Sequence, residues 1–330
     1  MKKLRVAIVG FGGIARVHNT AYHRLIDEGF PVEVVAVCEK NTARVRENVT
    51  TNLGGEQAAL DESVHIYSDV DELIAKEDFD MADICLPTFL HKDFSIKLLR
   101  AGKHVLCEKP MALSSSDCDE MIAAAKESSR ILMIGMCLRF DPCYNYLKQT
   151  IDSGEMGELK YLTMYRHSVY PIWGADFSNF DRTGGCILDT HIHDVDIARY
   201  LLGEPTSVSS VWHNDLPHCQ VVNSRLNYNG LPVIIDCAWD EARDIPFKAG
   251  YRAIFEKGSL VCRGNSVTVW LHGKEPTPAN LAPGEYMTEE IRAMASAVLG
   301  ISGREKLCAP EESRNSVALV ERLRASAEGN

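Results

Sequence analysis

The chain has 330 residues, a formal charge of −11 at pH 7, 45% hydrophobic residues and 25% charged residues. Such values are typical of a folded protein with two domains and exclude a mainly disordered chain. The acidic balance and the lack of a Lys/Arg cluster disfavour nucleic acid as a partner, and apolar runs of about eight residues are too short to cross a membrane.

The first 138 residues alternate short apolar strands with helices. The predicted strands are 4–9, 32–38, 82–86, 104–107 and 131–135, and the predicted helices are 14–28, 41–53, 69–76, 91–101 and 116–128. Buried strands that alternate with helices indicate a parallel sheet covered on both faces. We therefore predict an α/β Rossmann domain, with a doubly wound parallel sheet, over residues 1–138.

From residue 139 onward, strands follow one another directly. The predicted strands are 158–170, 206–213, 219–228, 231–239, 250–255, 259–263 and 266–271, and the predicted helices are 142–152, 189–202, 287–300 and 311–326. Asn229-Gly230 is a typical hairpin turn between two of these strands. Residues 139–330 are therefore predicted to form an α+β domain with a mostly antiparallel sheet.

The turn after the first strand fits the dinucleotide-binding pattern G-x-G-x-x-A. Its residues are Gly10, Phe11, Gly12, Gly13, Ile14 and Ala15. In this pattern Gly10 makes the tight turn, Gly12 lets the backbone approach a pyrophosphate, and Ala15 allows close packing of helix on strand. The N-terminus of the following helix favours the anion, so we expect these residues to bind the cofactor.

Glu39 follows the second strand, where a carboxylate can accept hydrogen bonds from the adenosine ribose and repel a 2′-phosphate. This favours NAD over NADP. Lys40, beside it, is a cation that could tolerate the phosphate, so NADP remains the lesser alternative.

Eleven cysteines are scattered along the chain without a C-x-x-C spacing. That distribution matches neither a zinc site nor a disulfide framework. The opening Met1-Lys2-Lys3 leads straight into a strand pattern, which does not resemble a signal peptide. We therefore expect a cytoplasmic protein.

Three segments carry a resemblance to a known family: the glycine turn, residues 102–110 with Glu-Lys-Pro, and residues 184–194 with Asp-x-x-x-His. With them the chain resembles the Gfo/Idh/MocA family, named for glucose–fructose oxidoreductase, inositol 2-dehydrogenase and a rhizopine-catabolism protein. The resemblance implies a sugar or cyclitol dehydrogenase, with a Rossmann domain and a large open-faced sheet. It also implies a homodimer or homotetramer formed through that sheet.

Lys109 lies in Glu108-Lys109-Pro110, just beyond the fifth strand, and ligands of doubly wound sheets bind outside the carboxyl ends of the strands. A lysine there is placed to exchange a proton with a substrate hydroxyl. The family resemblance implies this catalytic role for Lys109. Glu108 and Lys109 are also expected to contact the cofactor.

Asp189 and His193 are four residues apart, so on a helix they share one face. Such a pair can orient an imidazole, hold a sugar hydroxyl and relay its proton. The resemblance implies that both residues act with Lys109. His191, His193 and an aspartate at 189 or 194 could also be interpreted as a metal cluster, but i, i+2 spacing splays ligands on a helix. We therefore predict no metal and interpret His191 as a buried or inter-domain hydrogen-bonding residue.

Two further groups of residues are candidates for cofactor and substrate contacts. Pro87, Thr88 and His91 follow the third of the predicted strands, where they are expected to line the cofactor crevice. Tyr165, His167 and Trp173 are the candidate substrate contacts, because aromatic surfaces with interspersed donors suit a polyhydroxylated ring. Core packing and oligomer contacts explain these three equally well.

Two other functions fit the same motifs. One is an NAD-dependent glycoside-cleaving enzyme that oxidises the sugar transiently and eliminates the aglycone, with His167 or Tyr165 as the additional base. The other is a non-catalytic sugar or cofactor sensor. Retention of both Lys109 and His193 favours an enzyme over a sensor.

Overall fold

The computed structural model describes residues 2–47, 57–171, 179–215, 219–240, 245–301 and 307–329. Trp173 lies outside the described residues. The chain divides into two compact units. Unit 1 comprises Met1–Ala112, Ser116–Cys137 and Gly284–Arg314, and unit 2 comprises Leu113–Ser115, Leu138–Pro283 and Asn315–Asn330.

Unit 1 is built on a six-stranded sheet in which every neighbouring pair is parallel. Its strands are β1 (Leu4–Val9), β2 (Val32–Cys38), β3 (His65–Tyr67), β4 (Met81–Ile84), β5 (His104–Glu108) and β6 (Leu132–Gly135). Its helices are α1 (Gly13–Asp27), α2 (Val70–Lys76), α3 (Thr88–Arg100), α4 (Ser115–Ser128, whose first residue belongs to unit 2) and α9 (Tyr286–Leu299).

The strand order is β3-β2-β1-β4-β5-β6. The order reverses between β1 and β4, which makes a crevice at the carboxyl ends of these strands. β4 and β6 are buried along their whole length, as expected for strands covered on both faces. The predicted doubly wound parallel sheet is therefore confirmed.

Two elements of unit 1 differ from the sequence predictions. The predicted helix 41–53 is a short 3₁₀ turn at Thr42–Arg46, and its remainder from residue 48 lies outside the described residues. Residues 284–314 cluster with unit 1, although the sequence division at 138/139 groups them with the second domain. The reason is that α9 packs against α1 and β1, with Ile291 and Met294 fully buried.

Unit 2 contains an eight-stranded sheet in the order β14-β13-β12-β11-β7-β10-β9-β8. The strands are β7 (Leu159–Val169), β8 (Ser207–Asp215), β9 (Cys219–Tyr228), β10 (Leu231–Asp240), β11 (Lys248–Phe255), β12 (Gly258–Arg263), β13 (Ser266–Leu271) and β14 (Thr277–Pro278). The helices are α5 (Pro142–Ser153), α6 (Phe180–Thr183), α7 (Gly185–Asp189), α8 (Ile192–Leu202) and α10 (Pro310–Glu328), which begins in unit 1.

Within this sheet β7 and β10 are parallel, and the other neighbouring pairs are antiparallel. Asn229 and Gly230 both have positive φ, 54° and 97°, in the hairpin between β9 and β10, as that dipeptide predicts. Side chains alternate between buried and partly exposed along β10, and α7 and α8 pack on the buried side. The prediction of a mostly antiparallel sheet is confirmed.

The described residues were also searched for a helix long and apolar enough to cross a membrane, and none was found among them.

Candidate functional site

The glycine turn connects β1 to α1 in a conformation that requires glycine at its first position. Gly10 has a φ of 86°, and a Cβ on it would lie 2.7 Å from the carbonyl oxygen of Cys85. Gly12 is the N-cap of α1, no side chain caps the helix there, and a Cβ on Gly12 would meet open space. Ala15 is fully buried. An uncapped helix N-terminus behind an open glycine fits a pyrophosphate, so these residues suit a dinucleotide.

Glu39 joins the end of β2 to this turn. Its Oε2 accepts the backbone N–H of Phe11 at 3.0 Å, and its Oε1 accepts that of Asn41 at 2.9 Å. The carboxylate is therefore fixed beside the glycine turn, and each oxygen retains a lone pair for a further donor. Lys40 next to it is exposed.

The segment after β4 is tied to the segment after β5 by one histidine. His91 is buried, and its Nδ1 and Nε2 each lie 2.7 Å from a backbone carbonyl oxygen, of Pro110 and Leu86 respectively. Burial lowers the pKa of His91. Pro87 is the N-cap of α3, and Thr88, its first residue, is buried. Both ring nitrogens of His91 thus face backbone carbonyl oxygens, whereas the sequence predicts that His91 lines the cofactor crevice.

Lys109 lies immediately after β5, at the carboxyl edge of the sheet that carries the glycine turn. Its side chain is partly exposed, and the Lys109–Pro110 bond is cis. The Oε2 of Glu108 accepts the backbone N–H of Lys109 at 3.0 Å, while its Oε1 lies 3.1 Å from Nε2 of His18. The Glu108 side chain is thus directed into unit 1.

Sequence reasoning missed the buried partners of Glu108. His18 on α1 bridges Glu108 to Asp83 on β4, and Glu290 on α9 lies close to them. A signal for His18 was present, because a histidine and Tyr22 stand four apart on the buried face of α1. Glu290 gave no comparable signal, since its neighbours come from distant parts of the chain.

Asp189 and His193 stand out in unit 2 by their exposure. Within residues 183–199 every residue is buried except these two, which are partly exposed. Asp189 ends α7, and His193 is the second residue of α8, so they do not lie on the single helix that the sequence predicts.

The residues between them fasten the α7–α8 junction to the sheet. Thr190 Oγ1 accepts the Nε1–H of buried Trp239 at 2.7 Å, and His191 Nε2 lies 2.8 Å from the hydroxyl of Ser224. Thr190 and His191 are thus hydrogen-bonded to the sheet, whereas Asp189 and His193 on either side of them are partly exposed. Burial lowers the pKa of His191 to about 3, so His191 is a neutral hydrogen-bonding residue.

Asp194, which the sequence offers as a possible metal ligand, forms an ion pair with Arg166. Arg166 Nε lies 2.9 Å from Oδ2 and Nη2 lies 3.2 Å from Oδ1, and both side chains are buried. This bidentate pair anchors α8 to β7.

The structure does not bring Tyr165 and His167 together with this pair of helices. Side chains alternate along β7, and Arg166 is the residue directed to α8, so Tyr165 and His167 lie on the opposite face of the sheet. There His167 Nε2 is 3.0 Å from Asp236 Oδ2, and the rings of Tyr165 and His167 are in contact.

Two family models match the chain. The model of the Gfo/Idh/MocA oxidoreductase family with an NAD-binding Rossmann fold matches residues 4–136, and that of the Gfo/Idh/MocA C-terminal domain matches residues 144–261. Among curated proteins, the chain is 32% identical over 201 residues to the myo-inositol 2-dehydrogenase of Thermotoga maritima. It is 33% identical over 215 residues to an inositol 2-dehydrogenase of Salmonella paratyphi B.

These alignments cover 61% and 63% of this chain and a little over half of the two relatives, 55% and 57%. Among solved structures, the aldose-aldose oxidoreductase of Caulobacter crescentus aligns with a TM-score of 0.81 at 24% identity. That alignment covers 100% of this chain and 99% of the other, and it shows that the two share a fold.

Proposed function

The chain belongs to the Gfo/Idh/MocA family of NAD-binding oxidoreductases, and we propose that it transfers a hydride between NAD and a hydroxyl-bearing carbon of a sugar, cyclitol or sugar derivative. One observation carries this proposal. The glycine turn after β1, Glu39 after β2 and Lys109 after β5 follow the carboxyl ends of strands in one parallel sheet. This is the edge at which doubly wound sheets bind their ligands.

In this proposal residues 10–15 hold the pyrophosphate, and Glu39 accepts the hydroxyls of the adenosine ribose. Glu39 supports NAD over NADP, because its fixed carboxylate would repel a 2′-phosphate. When bound, NAD⁺ supplies the acceptor for the hydride of the carbinol carbon.

Oxidation of the alcohol also releases the hydroxyl proton, and we assign its acceptance to Lys109. Asp189 and His193 hold the reacting hydroxyl and relay the proton. Their partial exposure in an otherwise buried stretch supports this role, because a residue that contacts substrate has to reach the solvent-filled site. In the direction of reduction the same groups return the proton.

The inositol 2-dehydrogenase relatives make cyclitols the first substrates to test. Purified protein is offered inositols, sugars, sugar acids and aryl glycosides, while NADH formation and aglycone release are both followed. Accumulation of NADH supports the dehydrogenase. Release of aglycone without net NADH would show the glycoside-cleaving enzyme instead.

Replacing the proposed proton acceptor tests the mechanism. Lys109→Met is expected to lower kcat by about 10²- to 10⁴-fold, the usual contribution of a general base, while the Kd for NAD stays within a few-fold. Lys76→Met removes a lysine that is exposed on α2 and serves as the matched control. Turnover by Lys109→Met at the wild-type rate would refute the assignment.

A further inference from the structure

His18 lies at the centre of a buried charge network in unit 1. Its Nδ1 is 2.9 Å from Asp83 Oδ2, and its Nε2 is 3.1 Å from Glu108 Oε1. An ionised carboxylate only accepts hydrogen bonds, so both ring nitrogens donate and the ring is an imidazolium. Burial is the largest single influence and opposes that charge, but the electrostatic attraction and hydrogen bonds of Asp83 and Cys85 together outweigh it, so the pKa of His18 is raised well above its ordinary value.

The network ends on the backbone of Lys109. Tyr22 donates its hydroxyl to Asp83 Oδ2 at 3.0 Å and so fixes the far end. From there the contacts run from Asp83 to His18, from His18 to Oε1 of Glu108, and from Oε2 of Glu108 to the Lys109 N–H. These contacts connect His18, through the Glu108 carboxylate, to the backbone N–H of Lys109.

Glu290 is the member of this cluster whose carboxyl has no hydrogen-bond partner among the described residues. It is fully buried. A Cβ on Gly135 would lie 3.2 Å from Glu108 Oε1 and 3.3 Å from Glu290 Oε1, so the two carboxyl groups face the space that this glycine leaves open. One oxygen of each lies within 4.8 Å of the other and of a His18 nitrogen.

The titratable groups that bear on Glu290 include Glu108, His18, Asp83, Tyr22 and, at the N-cap of its own helix, Glu285. Burial, reinforced by the charge of Glu108, raises the pKa of Glu290 well above its ordinary value. A second carboxylate charge beside Glu108 would be costly in a dry interior. Burial without a hydrogen-bond partner, next to Glu108, therefore favours the neutral acid form of Glu290.

We propose that His18 and Glu290 are positioning residues for Lys109, acting through Glu108. The imidazolium of His18 holds the Glu108 carboxylate in the orientation that accepts the Lys109 N–H. Glu290 remains neutral and so leaves Glu108 as the one carboxylate on that side of the imidazolium. This inference rests on the proposed function only for its effect on catalysis, because the coupling of His18 to the Lys109 backbone is a property of the fold.

Hydrogen exchange measures that coupling without any substrate. In His18→Gln, which removes the imidazolium charge and its two opposed ring donors, the Lys109 amide is expected to exchange at least about tenfold faster. His23→Gln, which alters a partly exposed histidine of the same helix, should leave that amide unchanged. Asp83→Asn keeps the volume of the aspartate and is the second variant should His18→Gln fail to fold. An unchanged Lys109 amide in a folded variant overturns the proposal.

Steady-state kinetics measures the catalytic consequence. His18→Gln is expected to lower kcat about tenfold or more, with KM for the alcohol and Kd for NAD within about threefold, because His18 faces neither ligand in the proposal. A purely structural role would lower the melting temperature and leave the kcat of the folded enzyme unchanged. Faster exchange in a protein that oxidises no alcohol would refute the proposed function and leave the positioning role standing.

The charge state of Glu290 is tested through stability and pH. A carboxyl whose pKa is raised on folding keeps a proton that the unfolded chain releases, so wild-type stability falls as the pH rises above about 4.5. Glu290→Gln cannot ionise, so its melting temperature should rise relative to wild type as the pH increases from about 5 to 8. Glu289→Gln, on the same helix with a side chain 41% exposed, should show no such trend.

If Glu290→Gln is less stable than wild type, the cluster of His18, Glu108 and Glu290 has a different role. If His18, Glu108 and Glu290 bound a metal ion, Glu290 would be ionised and Glu290→Gln would be less stable at every pH. Added Zn²⁺ would then raise the melting temperature of wild type and not of Glu290→Gln. Either observation overturns the assignment of Glu290 as a neutral acid.

Discussion

At the scale of single residues, we propose that Glu39 decides whether the site prefers NAD or NADP. Replacing it with alanine removes the acceptor for the ribose hydroxyls and the charge that repels a 2′-phosphate. One charge-assisted hydrogen bond is worth about 1.5–3 kcal/mol, so Glu39→Ala should lower the ratio of kcat/KM for NAD to that for NADP by about 10- to 100-fold. Kinetics with both cofactors gives this ratio.

Glu33 provides the matched control for that experiment. It lies near the start of β2, the strand that Glu39 follows, and pairs with Arg5 near the start of β1. Glu33→Ala should leave the cofactor ratio unchanged. If the ratio of kcat/KM for NAD to that for NADP is the same in Glu39→Ala as in wild type, Glu39 does not discriminate between the two cofactors.

The residues that sequence analysis predicted are those with a local signature. The glycine turn, Glu39 and the Glu-Lys-Pro segment each follow a strand, and a parallel sheet gathers the ends of its strands at one edge. His18 and Glu290 were missed because their partners are distant in sequence. His18 is 65 residues from Asp83 and 90 from Glu108, and only the packing of α1 and α9 brings these side chains together.

At the scale of helices and strands, we propose that the α7–α8 junction positions Asp189 and His193. Thr190→Val removes the hydroxyl that accepts the Trp239 N–H and leaves that buried donor without its partner. Such an orphaned group costs about 1–3 kcal/mol. We therefore expect a lower free energy of unfolding in denaturant titrations, and a reduced kcat in the folded enzyme.

Thr190→Ser is the control for this prediction. It retains the hydroxyl, so it should keep most of the stability and activity that Thr190→Val loses. If both variants behave like wild type, the hydrogen bond from Trp239 does not position the junction.

The strands were predictable to within a few residues, because apolar runs bounded by turn residues mark them. The three-residue β3 was missed, since His65–Tyr67 is too short to show a period. The break between α7 and α8 was missed as well. A hydrogen bond from Trp239 to Thr190 and another between His191 and Ser224 hold that junction on the sheet, and such contacts leave no trace in the local sequence.

At the scale of the whole molecule, the face of the unit 2 sheet opposite α7 and α8 is the candidate surface for self-association. On the face away from α7 and α8, Ile234 pairs in register with Thr163, and Ile254 pairs with Tyr161. All four side chains are partly exposed on central strands, and the exposed side chains of Arg225 and Arg252 lie in register beside Ile234 and Thr163. Tyrosine and arginine are enriched at protein–protein interfaces, and we propose that this face joins copies of this chain in a homodimer or homotetramer.

A single charge should disrupt that assembly. An arginine at position 234 would be buried without a partner at the interface, which is costly, so Ile234→Arg should elute as a smaller species than wild type. Size-exclusion chromatography with light scattering gives the masses. Ser153→Arg adds the same charge at the exposed last residue of α5 and should keep the wild-type mass. If Ile234→Arg also keeps it, the subunits associate through another surface; if wild type is itself a monomer, the open face has no partner of its own kind.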